Sequence, residues 1–181
     1  MLTRNIVSEL INYDPETGII TWKSRTHDMF SSDSRYPVES NCARWNTNYA
    51  GTVAGSLTKN GYLIISVSKK RHYAHRLVYL LMTGDWPQTD IDHINGNKID
   101  NRWVNLRLAT RSQNNTNSGL RRDNTSGIKG VSWYPRYGKW EAKICIDGKP
   151  TRLGYFNTIE DAASARAEAA KKYYGKFARA N

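Results

Sequence analysis

Cysteine is scarce in this chain: among 181 residues only Cys42 and Cys145 occur. Two cysteines so far apart cannot build a disulfide framework or a four-cysteine zinc site, so we expect free thiols in a reducing compartment. Long apolar runs are also lacking, since the longest, 77–82, is far short of the roughly 20 residues of a membrane span. The N-terminus carries acids where a secretory signal has its apolar core. We therefore expect an unexported, cytoplasmic protein with no membrane partner.

Acidic residues are outnumbered by basic ones. The chain has 27 Lys and Arg against 16 Asp and Glu, a formal net charge of +11. Residues 1–60 hold six of each sign, whereas 119–181 hold thirteen bases and six acids. An excess that grows toward the C-terminus predicts a polyanionic partner, although basic residues that merely keep the surface soluble are the alternative.

The N-terminal third predicts a small β-rich unit. Apolar residues from Ile6 to Ile11 have helical spacing, and a turn at 14–18 leads into a strand at 18–23. Residues 26–50 are polar and without period, so we expect a long loop. A further strand is predicted at 62–67.

The middle of the chain predicts a helix and then a strand, a loop, a strand and a helix. Leu77, Leu80 and Leu81 share one helical face, and the helix stops at Gly84. Residues 88–118 then place Asp, His and seven Asn around two short apolar runs, with Thr110 as a helix cap.

The C-terminal third predicts a three-stranded antiparallel sheet packed on one helix. Residues 119–127 have the composition of a basic linker, and 128–156 alternate as three strands with a hairpin signal at Asp147-Gly148. An alanine-rich helix follows a capping residue, Thr158. The whole chain is therefore predicted to be α+β.

The residue types at 92 and 93 suit hydrolysis of a phosphodiester. Asp92 and His93 are adjacent at a strand end and leave the strand on opposite faces, so one can hold a metal ion while the other faces a water. A neutral imidazole is a suitable base near pH 7. An Asp carboxylate with an Asn amide oxygen suits Mg²⁺ or Mn²⁺ better than Zn²⁺. Taken alone, these polar residues could equally serve as turn and cap residues.

Residues 75–115, HRLVYLLMTGDWPQTDIDHINGNKIDNRWVNLRLATRSQNN, resemble the HNH endonucleases of the phage and intron homing branch. The resemblance implies a ββα-metal fold. It makes Asp92 and Asn114 the metal ligands, with Asn115 as the alternative if the helix register differs by one. It makes His93 the general base and Asn105, twelve residues later, the residue that orients or polarises the imidazole.

Residues 126–181 are similar to the plant ethylene-response-factor (Apetala-type) DNA-binding domain, whose sheet lies in the major groove. The strands here carry basic residues with aromatic residues between them, as a groove-facing surface requires. Ser132 and Cys145 stand where plant members have arginine, so base specificity does not transfer. The predicted DNA contacts are Arg107, Arg121, Arg122, Lys129, Trp133, Arg136, Lys139, Lys143 and Arg152. For Arg107, a salt bridge within the protein is an equally good explanation.

These patterns predict a nuclease domain at 1–118 with its core at 75–118, a basic linker at 119–127 and a DNA-binding domain at 128–181. The predicted function is metal-dependent hydrolysis of double-stranded DNA by a homing endonuclease that uses Mg²⁺ or Mn²⁺. We expect double-stranded DNA as the partner, no protein partner, and a phage-encoded protein acting in the cytoplasm of a bacterial host. The alternative is a non-catalytic, sequence-specific DNA-binding regulator that keeps a relic of the nuclease module.

Overall fold

A computed structural model describes residues 2–31, 35–120, 122–146 and 148–178. The chain separates into two compact units, 1–107 and 108–181. The division falls ahead of the predicted linker at 119–127. It assigns the helix after Thr110 to the C-terminal unit.

The first unit combines short helices with small sheets. Its elements are α1 (Arg4–Leu10), β1 (Ile11–Tyr13), β2 (Ile20–Trp22), a 3-10 turn (His27–Met29), α2 (Val38–Tyr49), β3 (Ser56–Leu57), β4 (Leu63–Val67), β5 (Lys70–Tyr73), α3 (Ala74–Thr83), β6 (Asp90–His93), a 3-10 turn (Trp103–Asn105) and β7 (Leu106–Ala109), inside which the division falls. β1 and β2 form one antiparallel pair, β3, β4 and β5 form an antiparallel sheet in that order, and β6 pairs with β7.

The apolar face of α3 explains the core of this unit. Leu77 and Leu80 are almost fully buried, together with Ile65 of β4 and Ile11 of β1. The helix ends as predicted at Gly84, which adopts the left-handed conformation of a helix C-cap. Trp22, Trp86 and Trp103 pack against the same core, as expected of anchoring residues in a small domain.

The prediction of a loop over 26–50 was wrong, because α2 occupies Val38–Tyr49. Cys42 is the one buried residue of this helix, so the sequence carries no apolar stripe to predict it. Polar contacts hold the helix instead. The Asn46 side chain accepts a hydrogen bond from Arg25 N at 2.8 Å and donates one to Arg25 O at 2.9 Å.

The second unit contains α4 (Arg111–Asn117), β8 (Val131–Tyr134), β9 (Lys139–Ile146), β10 (Lys149–Phe156), α5 (Ile159–Tyr174) and a 3-10 turn (Gly175–Phe177). The strands form an antiparallel sheet in the order β10, β9, β8, and α5 packs on β9 and β10. Val131, Ala142 and Ala162 form the buried centre between sheet and helix. The predicted caps are present, since the Thr110 and Thr158 side chains accept backbone hydrogen bonds at the starts of α4 and α5.

The mixture of helices and small antiparallel sheets agrees with the predicted α+β class. Over the described ranges, no helix has both the length and the apolar character needed to cross a membrane. The predicted hairpin residue Asp147 lies outside the described residues.

Gly18 provides a stability test of the first unit. Its φ is +74°, and a Cβ at this position would lie 2.5 Å from Arg102 N. Gly18→Ala should therefore destabilise the protein by about 2–5 kcal/mol, the sum of left-handed strain and overpacking. Urea unfolding measures the change. Gly51→Ala is the matched control, because Gly51 has φ +78° but nothing within 4 Å. A loss for Gly18→Ala no larger than for Gly51→Ala would contradict the close approach.

Candidate active site and nucleic-acid interface

His93 lies at the end of β6 and is 4% exposed. Its Nε2 is 3.3 Å from Asn101 Oδ1. Asn101 Nδ2 donates to Ile99 O at 3.2 Å, so the amide oxygen is the atom that faces the imidazole. Because that oxygen only accepts, Nε2 carries the hydrogen in the neutral ring, and the lone pair is on Nδ1.

The surroundings of His93 favour the neutral imidazole. Burial lowers the pKa of His93 below its ordinary value of 6.5, and the opposing effects of the Asn101 hydrogen bond and the Asp92 charge do not reverse this. The ring of His75 lies 5.1 Å away and the ring of Tyr62 6.1 Å away, both measured between centroids. Burial likewise lowers the pKa of His75 to about 3. Two neutral imidazoles therefore lie edge to face at the end of β6.

Asp92 is buried and forms an ion pair with Arg107. Arg107 Nε and Nη2 lie 2.8 Å and 2.6 Å from Asp92 Oδ2. The structure thus shows the salt bridge that was the alternative to DNA contact for Arg107. A buried carboxylate is a hard oxygen donor that suits Mg²⁺ or Mn²⁺. No cluster of three or more His, Cys, Asp or Glu exists among the described residues. An ion bound by Asp92 would therefore need amide, water or phosphate oxygens as further ligands.

Asn105 holds the loop that connects β6 to β7. Its Oδ1 accepts from Asn95 N at 3.0 Å, and its Nδ2 donates to Asp100 O at 2.8 Å. The side chain that faces the His93 imidazole is that of Asn101. From the sequence, Asn101 is predicted only to form part of a turn. Nothing in the loop sequence separates Asn101 from its neighbouring asparagines. Its 1% exposure does so in the structure.

The other predicted metal ligand, Asn114, lies on α4 in the second unit and is half-buried. Asn115, the alternative, is exposed on the same helix. Both positions belong to the stretch that resembles a nuclease.

Comparison with known proteins identifies a domain within the chain. The HNH endonuclease family model matches residues 72–116, which include β6, the loop after it, β7 and all but the last residue of α4. Protein 3.8 of Escherichia phage T7 is 34% identical over 89 residues, which cover 49% of this chain and 73% of that protein. Residues 72–116 therefore form an HNH endonuclease domain.

Two further relatives match other shares of this chain. An uncharacterized HNH endonuclease of Acanthamoeba polyphaga mimivirus is 32% identical over 127 residues, covering 69% of this chain and 65% of the relative. An AP2-like ethylene-responsive transcription factor of Arabidopsis thaliana is 43% identical over 54 residues, 30% of this chain and 11% of that protein. No solved structure shows a significant match.

The second unit has a basic, tyrosine-rich sheet face. Lys143 and Arg152 are paired across β9 and β10, so their side chains share a face. Lys139 lies on that face by alternation along β9. Tyr134, Tyr137 and Tyr155 form a cluster there, with ring centroids 4.9–5.2 Å apart. Arg136 lies in the β8–β9 turn, 5.9 Å from the Tyr137 ring. We call this surface, comprising Lys139, Lys143, Arg152, Arg136 and the three tyrosines, the tyrosine face.

Three of the predicted DNA contacts in the described part of the second unit do not lie on the tyrosine face. Trp133 pairs with Trp140, which packs against the core beneath α5, so register places it on the opposite face. Lys129 precedes β8, and its Nζ donates to Thr116 O and Ser118 O at 2.7 Å. It therefore binds the C-terminal end of α4. Arg122 is exposed ahead of the sheet, and Arg121 lies outside the described residues.

A carboxylate lies beneath the cations of the tyrosine face. Glu141 is 1% exposed and pairs with Lys143 and Arg152. Burial acts to raise the pKa of Glu141, but hydrogen bonds from both cations outweigh it and hold the pKa below 4.5. Its stabilising effect is therefore present above about pH 4.5 and is lost as the pH falls through the lower folded-state pKa.

Replacement of Glu141 tests this effect. At pH 7, Glu141→Gln should lower the free energy of unfolding by about 1 kcal/mol, because both cations are roughly half exposed and solvent screens them. The difference from the parent should shrink toward pH 3. Urea unfolding at both pH values measures it, with the exposed Glu168→Gln as control. An equal difference at both pH values would exclude the linkage.

Proposed function

We propose that this protein is a homing-type endonuclease that hydrolyses phosphodiester bonds of double-stranded DNA with Mg²⁺ or Mn²⁺. One observation carries the proposal: within the family-matched segment lies a buried imidazole, that of His93, whose pKa is lowered by burial and whose Nε2 is 3.3 Å from Asn101 Oδ1, so that Nδ1 is its basic nitrogen. Such a group is suited to take the proton of an attacking water. His93 is accordingly the general base in this proposal.

Asp92 and Asn114 are the proposed metal ligands, supported by the burial of the Asp92 carboxylate and by the sequence spacing of the two residues. A bound divalent ion would neutralise charge on the phosphoryl oxygens and the leaving group. Arg107 holds Asp92 Oδ2 and so fixes the orientation of the carboxylate. Asn105 is proposed to orient the imidazole indirectly, because its side-chain amide holds the loop on which Asn101 lies.

The second unit is proposed to bind DNA through the tyrosine face. Its cations suit backbone phosphates, and its tyrosine rings suit packing against sugars and bases. Arg121 and Arg122 are proposed to add contacts from the preceding segment. The likeness to a plant transcription factor supports this proposal. A phage relative fits the proposal of a phage-encoded protein acting in the host cytoplasm.

Plasmid cleavage tests the function. Purified full-length protein should convert supercoiled plasmid to nicked or linear product with Mg²⁺ or Mn²⁺ and leave it intact with EDTA. Retention of the plasmid without any product in either metal would contradict the nuclease.

The second candidate function is that of a sequence-specific DNA-binding regulator that does not cleave DNA. The ion pair favours it, because Arg107 already neutralises the carboxylate that a metal ion would use. A regulator would give retained, uncut duplex in the same assay.

Asn101 allows a test of imidazole positioning. Asn101→Ala removes the acceptor for Nε2–H and should slow single-turnover cleavage about 10- to 100-fold, with DNA affinity unchanged. Asn97→Ala is the control, since Asn97 belongs to the same loop but bonds Ile99 N rather than His93. Equal rates for the two variants would show that Asn101 has no positioning role.

A further inference from the structure

A cavity of about 520 Å³ lies beside α5 in the second unit, away from the tyrosine face. It is bounded by α5, the end of α4, the segment before β8 and Ala178. We call it the α5 cavity. Neither the proposed hydrolysis nor the tyrosine face uses it.

Arg166 of α5 lines the α5 cavity and is 8% exposed. Its Nε is buried and has no hydrogen-bond partner among the residues that the structure describes. The Gly130 backbone packs closely against Arg166 Nε, because a Cβ at Gly130 would lie 2.7 Å from this atom. Its guanidinium lies 5.5 Å from the Tyr174 ring, and the Tyr174 hydroxyl is engaged, donating to Cys145 O at 2.6 Å.

No carboxylate in the described part of the chain pairs with Arg166, and burial lowers the pKa of its guanidinium. A buried cation without a counter-charge is costly, and an anion that enters the cavity removes that cost. Arg166 is therefore a buried cation without a counter-charge in the wall of a space large enough for a ligand.

The other charges at the α5 cavity have the same sign. Lys171 is exposed at its edge, and Lys129 also lines it. The carbonyls at the end of α4 bind the Lys129 ammonium, which therefore stays fixed in the wall. The described lining residues include no Asp or Glu. The potential inside the cavity is therefore positive, which selects an anion.

The remaining lining residues indicate the class of anion. Ile128 and the alanines of α5 are apolar, whereas Thr116 and Ser164 offer hydroxyl donors. The volume lies in the range of ligand pockets and exceeds the needs of a bare inorganic ion. We propose that the α5 cavity binds a phosphate ester of nucleotide size, with Arg166 as the main contact to the phosphate.

Binding can be measured on the full-length protein in EDTA, so that no cleavage takes place. The probes are thymidine 5′-monophosphate, inorganic phosphate and thymidine. Thymidine monophosphate should shift the backbone amide NMR signals of Ser164, Ala167 and Lys171 with millimolar affinity, and thymidine should not. Equal shifts with thymidine, or no shift with any phosphate, would overturn the proposal.

Variants identify the contact. Arg166→Met should weaken thymidine monophosphate binding at least tenfold, as expected for loss of a charged hydrogen bond. It should fold, because it removes an uncompensated buried charge, and the NMR spectrum verifies this. Lys172→Met removes the same charge from the same helix outside the cavity, beside Tyr173, and should change affinity less than twofold. Lys171→Met, at the edge, should weaken binding two- to fivefold even if Arg166→Met does not fold. Undiminished binding by Arg166→Met, or by Lys171→Met, would overturn the assignment.

Duplex DNA separates the two sources of phosphate ester. Shifts at the α5 cavity with 5′-phosphorylated duplex but not with thymidine monophosphate indicate a DNA terminus, and shifts with both indicate a free nucleotide as well. Either result supports the phosphate site. Shifts confined to the tyrosine face with every probe exclude it while leaving the nuclease proposal intact.

Discussion

His93→Ala should slow cleavage of plasmid DNA about 10²- to 10⁴-fold, the range that a positioned general base supplies. The affinity for duplex DNA, measured in EDTA, should change by no more than a few-fold, because the imidazole is buried and neutral. The measurement is the single-turnover rate at saturating protein, so that binding and chemistry are separated.

The matched control for this substitution is His27→Ala. His27 is exposed in the 3-10 turn of the first unit, and its loss should leave the rate unchanged. Removal of the buried ring leaves a space between Tyr62 and His75, into which added imidazole fits. Added imidazole should therefore restore part of the activity of His93→Ala. Undiminished cutting by His93→Ala would remove His93 from the chemistry.

Asp92→Asn should lower Mg²⁺-dependent cleavage by about 10²-fold or more, because loss of a few kcal/mol of charge stabilisation corresponds to that factor. It should also lower the free energy of unfolding in EDTA by about 1–3 kcal/mol, since the charge-assisted bonds from Arg107 are weakened. Cleavage rates over a range of Mg²⁺ concentrations measure the first effect, and urea unfolding measures the second.

These two effects of Asp92→Asn are separable. A ligand that binds only the folded state raises its stability, so Mg²⁺ should stabilise the parent and leave Asp92→Asn unaffected. Asp85→Asn removes an exposed carboxylate from the turn before β6 and serves as the control. Equal Mg²⁺ stabilisation of all three proteins would exclude Asp92 as a ligand.

Secondary structure was predictable from sequence where apolar period and capping residues agree. Leu77, Leu80 and Gly84 predict α3 and its end, and Thr158 predicts the start of α5. α2 was not predictable, because side-chain bonds to the Arg25 backbone and one buried cysteine hold it rather than an apolar face.

Side-chain roles were less predictable because they depend on register and loop conformation. Alternation along β8 does not say which face of the sheet Trp133 lies on. Its pairing with Trp140 places it on the face that packs against α5. The spacing from His93 singles out Asn105, yet the fold of the loop directs Asn101 at the imidazole. Sequence patterns therefore suffice to propose a site, whereas the hydrogen-bond partners of its residues are seen only in the structure.

The proposal that His93 is the general base is tested most directly by two-bond ¹H–¹⁵N NMR of the histidine side chains at pH 7, which reports the protonation state and the tautomer of each ring. The structure predicts a neutral His93 ring with its hydrogen on Nε2 and no hydrogen on Nδ1, and loss of that single tautomer in Asn101→Ala. A protonated ring, or a hydrogen on Nδ1, would contradict the assignment of His93 as a base poised to accept a proton.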